Sequence, residues 1–234
     1  MHPPSPHLPK PPRLLITSGP TQEPIDAVRF IGNKSSGRLG SAIADTAVER
    51  AWTTTILLGN HAQKPTNPAV EIIPFRTTAN LEALLATHVP RTDILIMAAA
   101  VADYRPANTT TGKLRRTGKN LTIELEPTPD LLAGCNRLRR PHHIFVGFAL
   151  EPRDNLLANA QAKLERKNLD LIVANPLETM DSDTIDATIL GPPNSLFATP
   201  RHTDSPIPKP EFANWLLDAI AELAATRTVD TTND

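Results

Sequence analysis

One cysteine, Cys135, occurs in 234 residues. That excludes an intrachain disulfide and fits a reducing compartment. No apolar run approaches the roughly 18 residues that cross a bilayer. The first residues, Met1 to Pro12, lack the apolar core of a secretory signal. A cytoplasmic protein is the expectation. Aromatic residues make up only 4%, so the core must be built from Leu, Ile, Val and Ala. Charge of one sign is also missing: the net charge is −1, which argues against a nucleic-acid footprint. The first strand is not followed by Gly-x-Gly-x-x-Gly, and there is no Walker A run, which speaks against a dinucleotide or P-loop enzyme. No Cys/His cluster has zinc spacing. His142 and His143, adjacent at a strand entry, point to opposite faces and do not share a metal. Cys135 has no nucleophile motif around it.

What is there reads as one α/β domain over residues 13–225, with a disordered proline-rich arm over 1–12 and a frayed tail over 226–234. Leu14 to Thr17 is a continuous apolar strand. A loop from Ser18 to Arg29 follows, then a helix from about Ser36 to Ala51 carrying Leu39, Ile43, Ala47 and Val48 at helical spacing. Strands are expected at Thr54–Leu58, Val70–Ile73, Asp93–Met97, Ile144–Gly147 and Leu169–Val173, and a late edge strand at Ala187–Leu190. Helices carry Leu81, Leu84, Leu85 and His88, and further along Leu156, Leu157, Ala160 and Leu164, the latter capped by Asp154. Thr128-Pro129-Asp130 reads as a helix start with Thr128 as N-cap. The last helix presents Phe212, Trp215, Leu216, Ala219, Ile220 and Leu223 on one face. This alternation implies a Rossmann-like, mostly parallel sheet with helices on both faces. Residues 104–126 break the pattern. They read as two extended segments around the turn at Thr117–Asn120, an extended β-arm suited to pairing with a second subunit.

Ligands of such sheets bind beyond the carboxyl ends of the strands. Three stretches fall there. Asn33-Lys34-Ser35-Ser36-Gly37-Arg38 brings amide, hydroxyl and cationic groups to a helix start, where free N–H groups and the dipole attract anions; Ser35, Ser36 and Gly37 are phosphate-binding candidates, against the alternative of an ordinary N-cap. Ala98 to Ala102 is a turn of small side chains that lets a flat base or ribose approach the backbone, or else lets a helix pack tightly. Lys113, Lys163 and Lys167 are candidate phosphate contacts; the last two share a helix face, which is more often a solvated one.

These stretches carry a resemblance. Thr17-Ser18-Gly19-Pro20-Thr21-Gln22-Glu23-Pro24-Ile25-Asp26 with Val28-Arg29-Phe30-Ile31, then Asn33 before Ser35-Ser36-Gly37, resembles the signature of phosphopantothenate–cysteine ligases. Ala98-Ala99-Ala100-Val101-Ala102-Asp103-Tyr104-Arg105, Lys113-Leu114-Arg115-Arg116, Thr128-Pro129-Asp130-Leu131-Leu132, Val146-Gly147-Phe148-Ala149 and Asn168-Leu169-Asp170-Leu171-Ile172-Val173-Ala174-Asn175 follow in the family's order, from about Leu14 to Leu223. The resemblance implies a ligase that joins 4′-phosphopantothenate and L-cysteine in coenzyme A biosynthesis. It implies an acyl-nucleotide intermediate, release of pyrophosphate, CTP as the nucleotide with ATP as the alternative, Mg²⁺, and a homodimer formed through the arm at 104–126. It assigns Asn33 to the acyl-nucleotide as catalytic residue. It assigns Met97, Ala98, Ala99, Asp103, Lys113, Pro129, Asp130, Leu131, Leu132, Phe148, Lys163 and Lys167 to the nucleotide. The Mg²⁺ ligands stay unassigned. Only the proline-rich arm precedes Leu14, so a separate decarboxylase is expected to act next. The sequence departs from the family's usual pattern at Gly32, Arg38, Arg115, Arg116 and Leu150-Glu151-Pro152. The rival readings are an oxidoreductase on the same fold and a binding subunit without turnover.

Overall fold

The structure, a computed structural model, describes residues 10–180 and 182–230, the last three by backbone alone. The expected proline-rich arm falls outside the described residues as far as residue 9, and the expected tail does from 231 on. Order begins earlier than the composition suggested: Pro12 is buried, and its carbonyl accepts the Thr53 N–H at 3.1 Å.

Strand β1 (Arg13–Ser18) is buried from Leu14 onward, as a parallel strand covered on both faces requires. The expected loop after it contains a hairpin, β2 (Gln22–Pro24) with β3 (Phe30–Gly32). Helix α1 (Arg38–Glu49), β4 (Thr53–Gly59), β5 (Glu71–Phe75), α2 (Thr78–His88) and β6 (Ile94–Met97) continue the alternation. A ribbon follows, made of β7 (Tyr104–Pro106) and β8 (Leu125–Pro127). Then come α3 (Leu131–Cys135), β9 (Ile144–Glu151), α4 (Leu156–Arg166) and β10 (Leu171–Pro176). The short strands β11 (Thr184–Ile185), β12 (Thr188–Leu190), β13 (Arg201–His202) and β14 (Ile207–Pro208) lead into α5 (Lys209–Asp230).

The main sheet has eight strands in the order β13-β12-β10-β9-β6-β1-β4-β5. It is parallel from β10 to β5, and β12 and β13 are antiparallel. Alternate side chains of each strand feed two cores. Ile43, Ala47, Phe212, Leu216 and Ile220 of α1 and α5 cover one face. Leu81, Leu85, Leu131, Cys135, Ala160 and Leu164 of α2, α3 and α4 cover the other. From β1 the chain moves outward to β4 and β5, then returns to β6 and proceeds the other way. The topological switch therefore falls between β1 and β6, where such sheets open a crevice. No helix among the described residues is long and apolar enough to cross a membrane.

Several expected boundaries move, each for a local reason. Helix α1 starts at Arg38 rather than Ser36, because Gly37 holds a left-handed φ of 73° and no side chain caps it. The cap of α3 is Asp130, whose Oδ1 accepts the Ala133 N–H at 3.1 Å. Thr128, the expected cap, instead donates its hydroxyl to the Ala102 carbonyl at 2.5 Å. Asp154 lies in a 3₁₀ turn (Arg153–Asn155) and caps nothing. The late edge strand is not an edge: β13 pairs outside β12. Of the alternating run at 121–126 only Leu125 and Glu126 lie in a strand. The last helix does not fray at 225; Arg227 donates to the His143 carbonyl at 2.8 Å and pairs with Asp170.

Candidate active site

The C-terminal ends of β1 and β6 are stitched together past their last paired residues. Ala98 N–H donates to Thr17 O, Ala100 N–H to Gly19 O, and Thr21 N–H to Ala100 O at 3.0–3.2 Å. Two threonine hydroxyls add to this: Thr17 Oγ1 accepts the Ala99 N–H at 3.1 Å and Thr21 Oγ1 accepts the Ala102 N–H at 2.9 Å. The small-residue turn is thereby fixed as the floor of a cleft of about 560 Å³. The cleft straddles the sheet edge. Met97, Ala99, Leu131 and Leu132 belong to the α3/α4 side, and Ala98 and Phe148 to the α1/α5 side.

Fifteen of the sixteen residues singled out from the sequence line this cleft: Asn33, Ser35, Ser36, Gly37, Met97, Ala98, Ala99, Asp103, Pro129, Asp130, Leu131, Leu132, Phe148, Lys163 and Lys167. Lys113 does not. It is exposed on the segment between β7 and β8, apart from the cleft of its own chain.

Asn33 donates from Nδ2 to the Val101 carbonyl at 3.0 Å. Its amide is held in one orientation at the cleft wall. The seryl hydroxyls of 35 and 36 make no hydrogen bond among the described residues, and the first turn of α1 carries no side-chain cap. Polar groups that usually satisfy each other here are thus left to the cleft. Lys163 donates to the Phe148 carbonyl at 2.7 Å. Burial lowers the pKa of its ammonium, against the opposing charge of Glu151 and, more weakly, Asp103. Lys167 pairs with Asp130, and burial lowers its pKa as well, against Asp103. Asp103 is therefore a carboxylate shared electrostatically between two half-buried lysines. Cys135 lies below this wall, its thiol pushed up to about 12 by burial, and no nucleophile is to be had from it.

Sequence reasoning left Arg38 and Lys34 without a task and missed Lys209. All three line the cleft. Arg38 pairs with Asp183 at 2.7 Å, and Lys209 donates to the Ser182 carbonyl, so the segment before β11 is tied to the starts of both α1 and α5. Lys209 did leave a signal: a cation in the first turn of a helix opposes the dipole, which marks it for another task.

The arm is attached to the turn at 25–29 by the backbone hydrogen bonds Ala27 N–H to Gly112 O and Thr110 N–H to Ile25 O, at 3.1 and 3.2 Å, and by one buried carboxylate. Asp26 accepts the N–H groups of Val28 and Arg29 from its own turn, at 2.8 and 2.7 Å, and of Leu114 from the arm at 3.1 Å. Arg29 closes the loop by donating to the Leu114 carbonyl at 2.8 Å. The Val28 N–H, then those of Arg29 and Leu114 and the Arg29 charge, hold the Asp26 pKa below its ordinary value against the opposing effect of burial. A carboxyl depressed in the folded state stabilises it above the ordinary carboxylate pKa and loses that contribution as pH falls through the lowered value. Asp26→Asn turns an amide toward donors that need an acceptor. Its expected result is lower hydrogen-exchange protection at Leu114 and its neighbours at neutral pH. Unchanged exchange would contradict this attachment.

Residues 10–223 match the family model of the DNA/pantothenate metabolism flavoprotein C-terminal domain. A cysteine/cysteine sulfinic acid decarboxylase from an unknown prokaryotic organism is 42% identical over 166 residues, 71% of this chain and 46% of the relative. The coenzyme A biosynthesis bifunctional protein CoaBC of Mycobacterium tuberculosis is 42% identical over 172 residues, 70% of this chain and 41% of the relative. The chain thus spans less than half the length of these relatives. The crystal structure of the C-terminal domain of a coenzyme A biosynthesis bifunctional protein CoaBC superposes with a TM-score of 0.76 at 29% identity, covering 92% of this chain and 96% of that one.

Proposed function

The chain belongs to the family of the DNA/pantothenate metabolism flavoprotein C-terminal domain, and from that premise we propose that it is a phosphopantothenate–cysteine ligase. The observation that carries the reading is the convergence of Asn33, the Ala98–Ala102 turn, Asp103, Lys163 and Lys167 on one cleft at the switch point of the sheet. The relatives named for coenzyme A biosynthesis support a step in that synthesis, and the ordered motifs supply the substrate pair, 4′-phosphopantothenate and L-cysteine.

In the proposed reaction a carboxylate oxygen of phosphopantothenate attacks the α-phosphorus of CTP. The bond to the β-phosphate breaks, and pyrophosphate leaves. The amine of cysteine then attacks the acyl carbon and loses a proton, and CMP departs with the carboxylate oxygen. The protein supplies no nucleophile in this scheme; it positions and neutralises. Lys163 and Lys167 offset phosphate charge, and Ser35, Ser36 and the first turn of α1 supply hydroxyl and N–H donors to phosphate oxygens. Asn33 offers a neutral amide N–H where negative charge develops on the acyl oxygen.

Mg²⁺ would offset triphosphate charge. No group of three or more His, Cys, Asp or Glu converges among the described residues. A magnesium ion that arrives with a nucleotide keeps phosphates and waters as ligands and asks only one or two carboxylates of a protein. Asp103, open to the cleft, would be the one to meet it.

Two features support a homodimer through the arm. Val28, Phe30, Tyr104, Leu121 and Leu125 expose large apolar side chains on the β2–β3 hairpin and the β7–β8 arm, a patch of the kind that marks an interface. Lys113 lies apart from the cleft of its own chain, and in such a dimer it would serve the partner's. The deciding experiment incubates the protein with phosphopantothenate, cysteine, Mg²⁺ and either CTP or ATP, and follows pyrophosphate. Release that needs phosphopantothenate and favours CTP is expected. No release with either nucleotide would overturn the reading.

A further inference from the structure

We propose that Asn136 and Arg139, on the segment joining α3 to β9, are positioning residues for Lys167. The inference rests on the nucleotide-binding reading of that lysine. Lysine has a long flexible stem, so an ammonium is aimed only if its backbone is held and its head is guided. Both ends of Lys167 are gripped by one short unit, residues 130–139. At the head, Asp130 pairs with the ammonium. At the backbone, Asn136 Nδ2 donates to the Lys167 carbonyl at 2.7 Å. One residue on, Arg139 Nη1 donates to the Asn168 carbonyl. The Lys167 carbonyl, at the C-cap, is one that the end of α4 would otherwise leave unpaired; the Asn168 carbonyl belongs to the turn just beyond it.

The helix stops there because Asn168 takes a left-handed φ of 48°, which turns the chain at the point where Lys167 leaves for the cleft. Arg139 is itself fixed. Its Nη2 donates to both oxygens of Asp170, and its guanidinium lies 5.0 Å from the centre of the Phe145 ring. Asp170 is buried, and also accepts the Phe145 N–H at 2.6 Å and pairs with Arg227. The backing thus runs from the strand β9 and the helix α5 through Arg139 to the turn that carries Lys167. Asn136 bears a cost: its Oδ1 is buried and meets no donor among the described residues. The same unit contains Asp130 to Leu132, which line the cleft beside Lys167, so this wall and its cation are anchored to one another.

The test is a double-mutant cycle on CTP affinity, by calorimetry with Mg²⁺, in the full chain. Asn136→Ala is expected to weaken CTP about two- to tenfold, the worth of one hydrogen bond, and Asn136→Asp at least as much. In the Lys167→Ala background the same substitutions should have no further effect. Arg139→Lys should lie between the wild type and Asn136→Ala. Circular dichroism of each variant identifies any that fails to fold, and the two Asn136 variants substitute for each other. Equal weakening in both backgrounds would show a merely structural role and overturn the inference. So would unchanged affinity in both Asn136 variants while Lys167→Ala alone weakens CTP. If Lys167→Ala itself leaves CTP affinity unchanged, the reading of Lys167 falls, and this inference with it.

Discussion

Asn33→Asp is expected to lower the rate of ligation by about 10²–10³-fold, the usual effect of losing one donor to a developing oxyanion, while pyrophosphate is still released in the first turnover. The reasoning starts from the amide. Its Nδ2 is held at 3.0 Å from the Val101 carbonyl, which itself belongs to the turn stitched onto β1. A carboxylate at this position cannot donate. It repels the Val101 carbonyl, and it repels the charge that forms when cysteine attacks the acyl carbon. The first step, attack on phosphorus, makes no such demand on an N–H at this place. Asn33→Ala separates the two effects: it removes the donor without adding charge and should fall between the wild type and the aspartate variant. Pyrophosphate and ligated product are measured separately in a single turnover. Equal, wild-type rates for both in Asn33→Asp would remove Asn33 from the chemistry.

The second large effect is steric. Gly40 packs against the end of β1 so closely that an added Cβ would lie 2.3 Å from Ser18 Oγ and 2.4 Å from Ser18 Cβ. The Cβ cannot retreat, and the Oγ can turn away only by giving up a hydrogen bond. The Cβ is fixed to the last residue of a central strand, and the Oγ donates to the Gly37 carbonyl at 3.0 Å. In Gly40→Ala the start of α1 must therefore move off the sheet, carrying with it the N–H groups that face the cleft. Overpacking of this kind costs about 1–3 kcal/mol, or a fall in Tm of roughly 2–12 °C for a domain of this size. Ligation should fall about a hundredfold, because a displacement near 1 Å is enough to spoil positioning. Ser18→Gly removes both clashing atoms, so combining it with Gly40→Ala should recover much of the Tm. A Tm and rate equal to the wild type in Gly40→Ala would show that the helix start is not fixed by this contact.

The parallel sheet was legible because its strands are buried on both faces and read as unbroken apolar runs, as in Ile94-Leu95-Ile96-Met97. The β2–β3 hairpin was not, because its buried side chains are polar. Glu23 is 3% exposed and accepts from the N–H and hydroxyl of Thr78, at 2.8 and 2.7 Å, at the start of α2. A partner 55 residues away leaves no local pattern. The end of α5 was lost the same way, since the anchors of Arg227 lie just before β9 and β10. The alternation at 121–126 misled in the opposite sense: period two without a neighbouring strand does not make a strand. At the cleft, spacing alone left Lys163 and Lys167 as a solvated face. It was the ordered set of motifs that pointed to the cleft, and there both are half-buried. Arg38 and Lys209 could be given no task from the sequence because their roles depend on the segment at 182–183, which only the fold brings to them.

The most direct test is the fate of the carboxylate oxygens. Phosphopantothenate labelled with ¹⁸O in its carboxylate is turned over with CTP and cysteine, and the nucleotide product is examined by mass spectrometry. Activation through an acyl-nucleotide predicts CMP carrying one ¹⁸O and unlabelled pyrophosphate. Unlabelled CMP, or CDP with the label in inorganic phosphate, would contradict it.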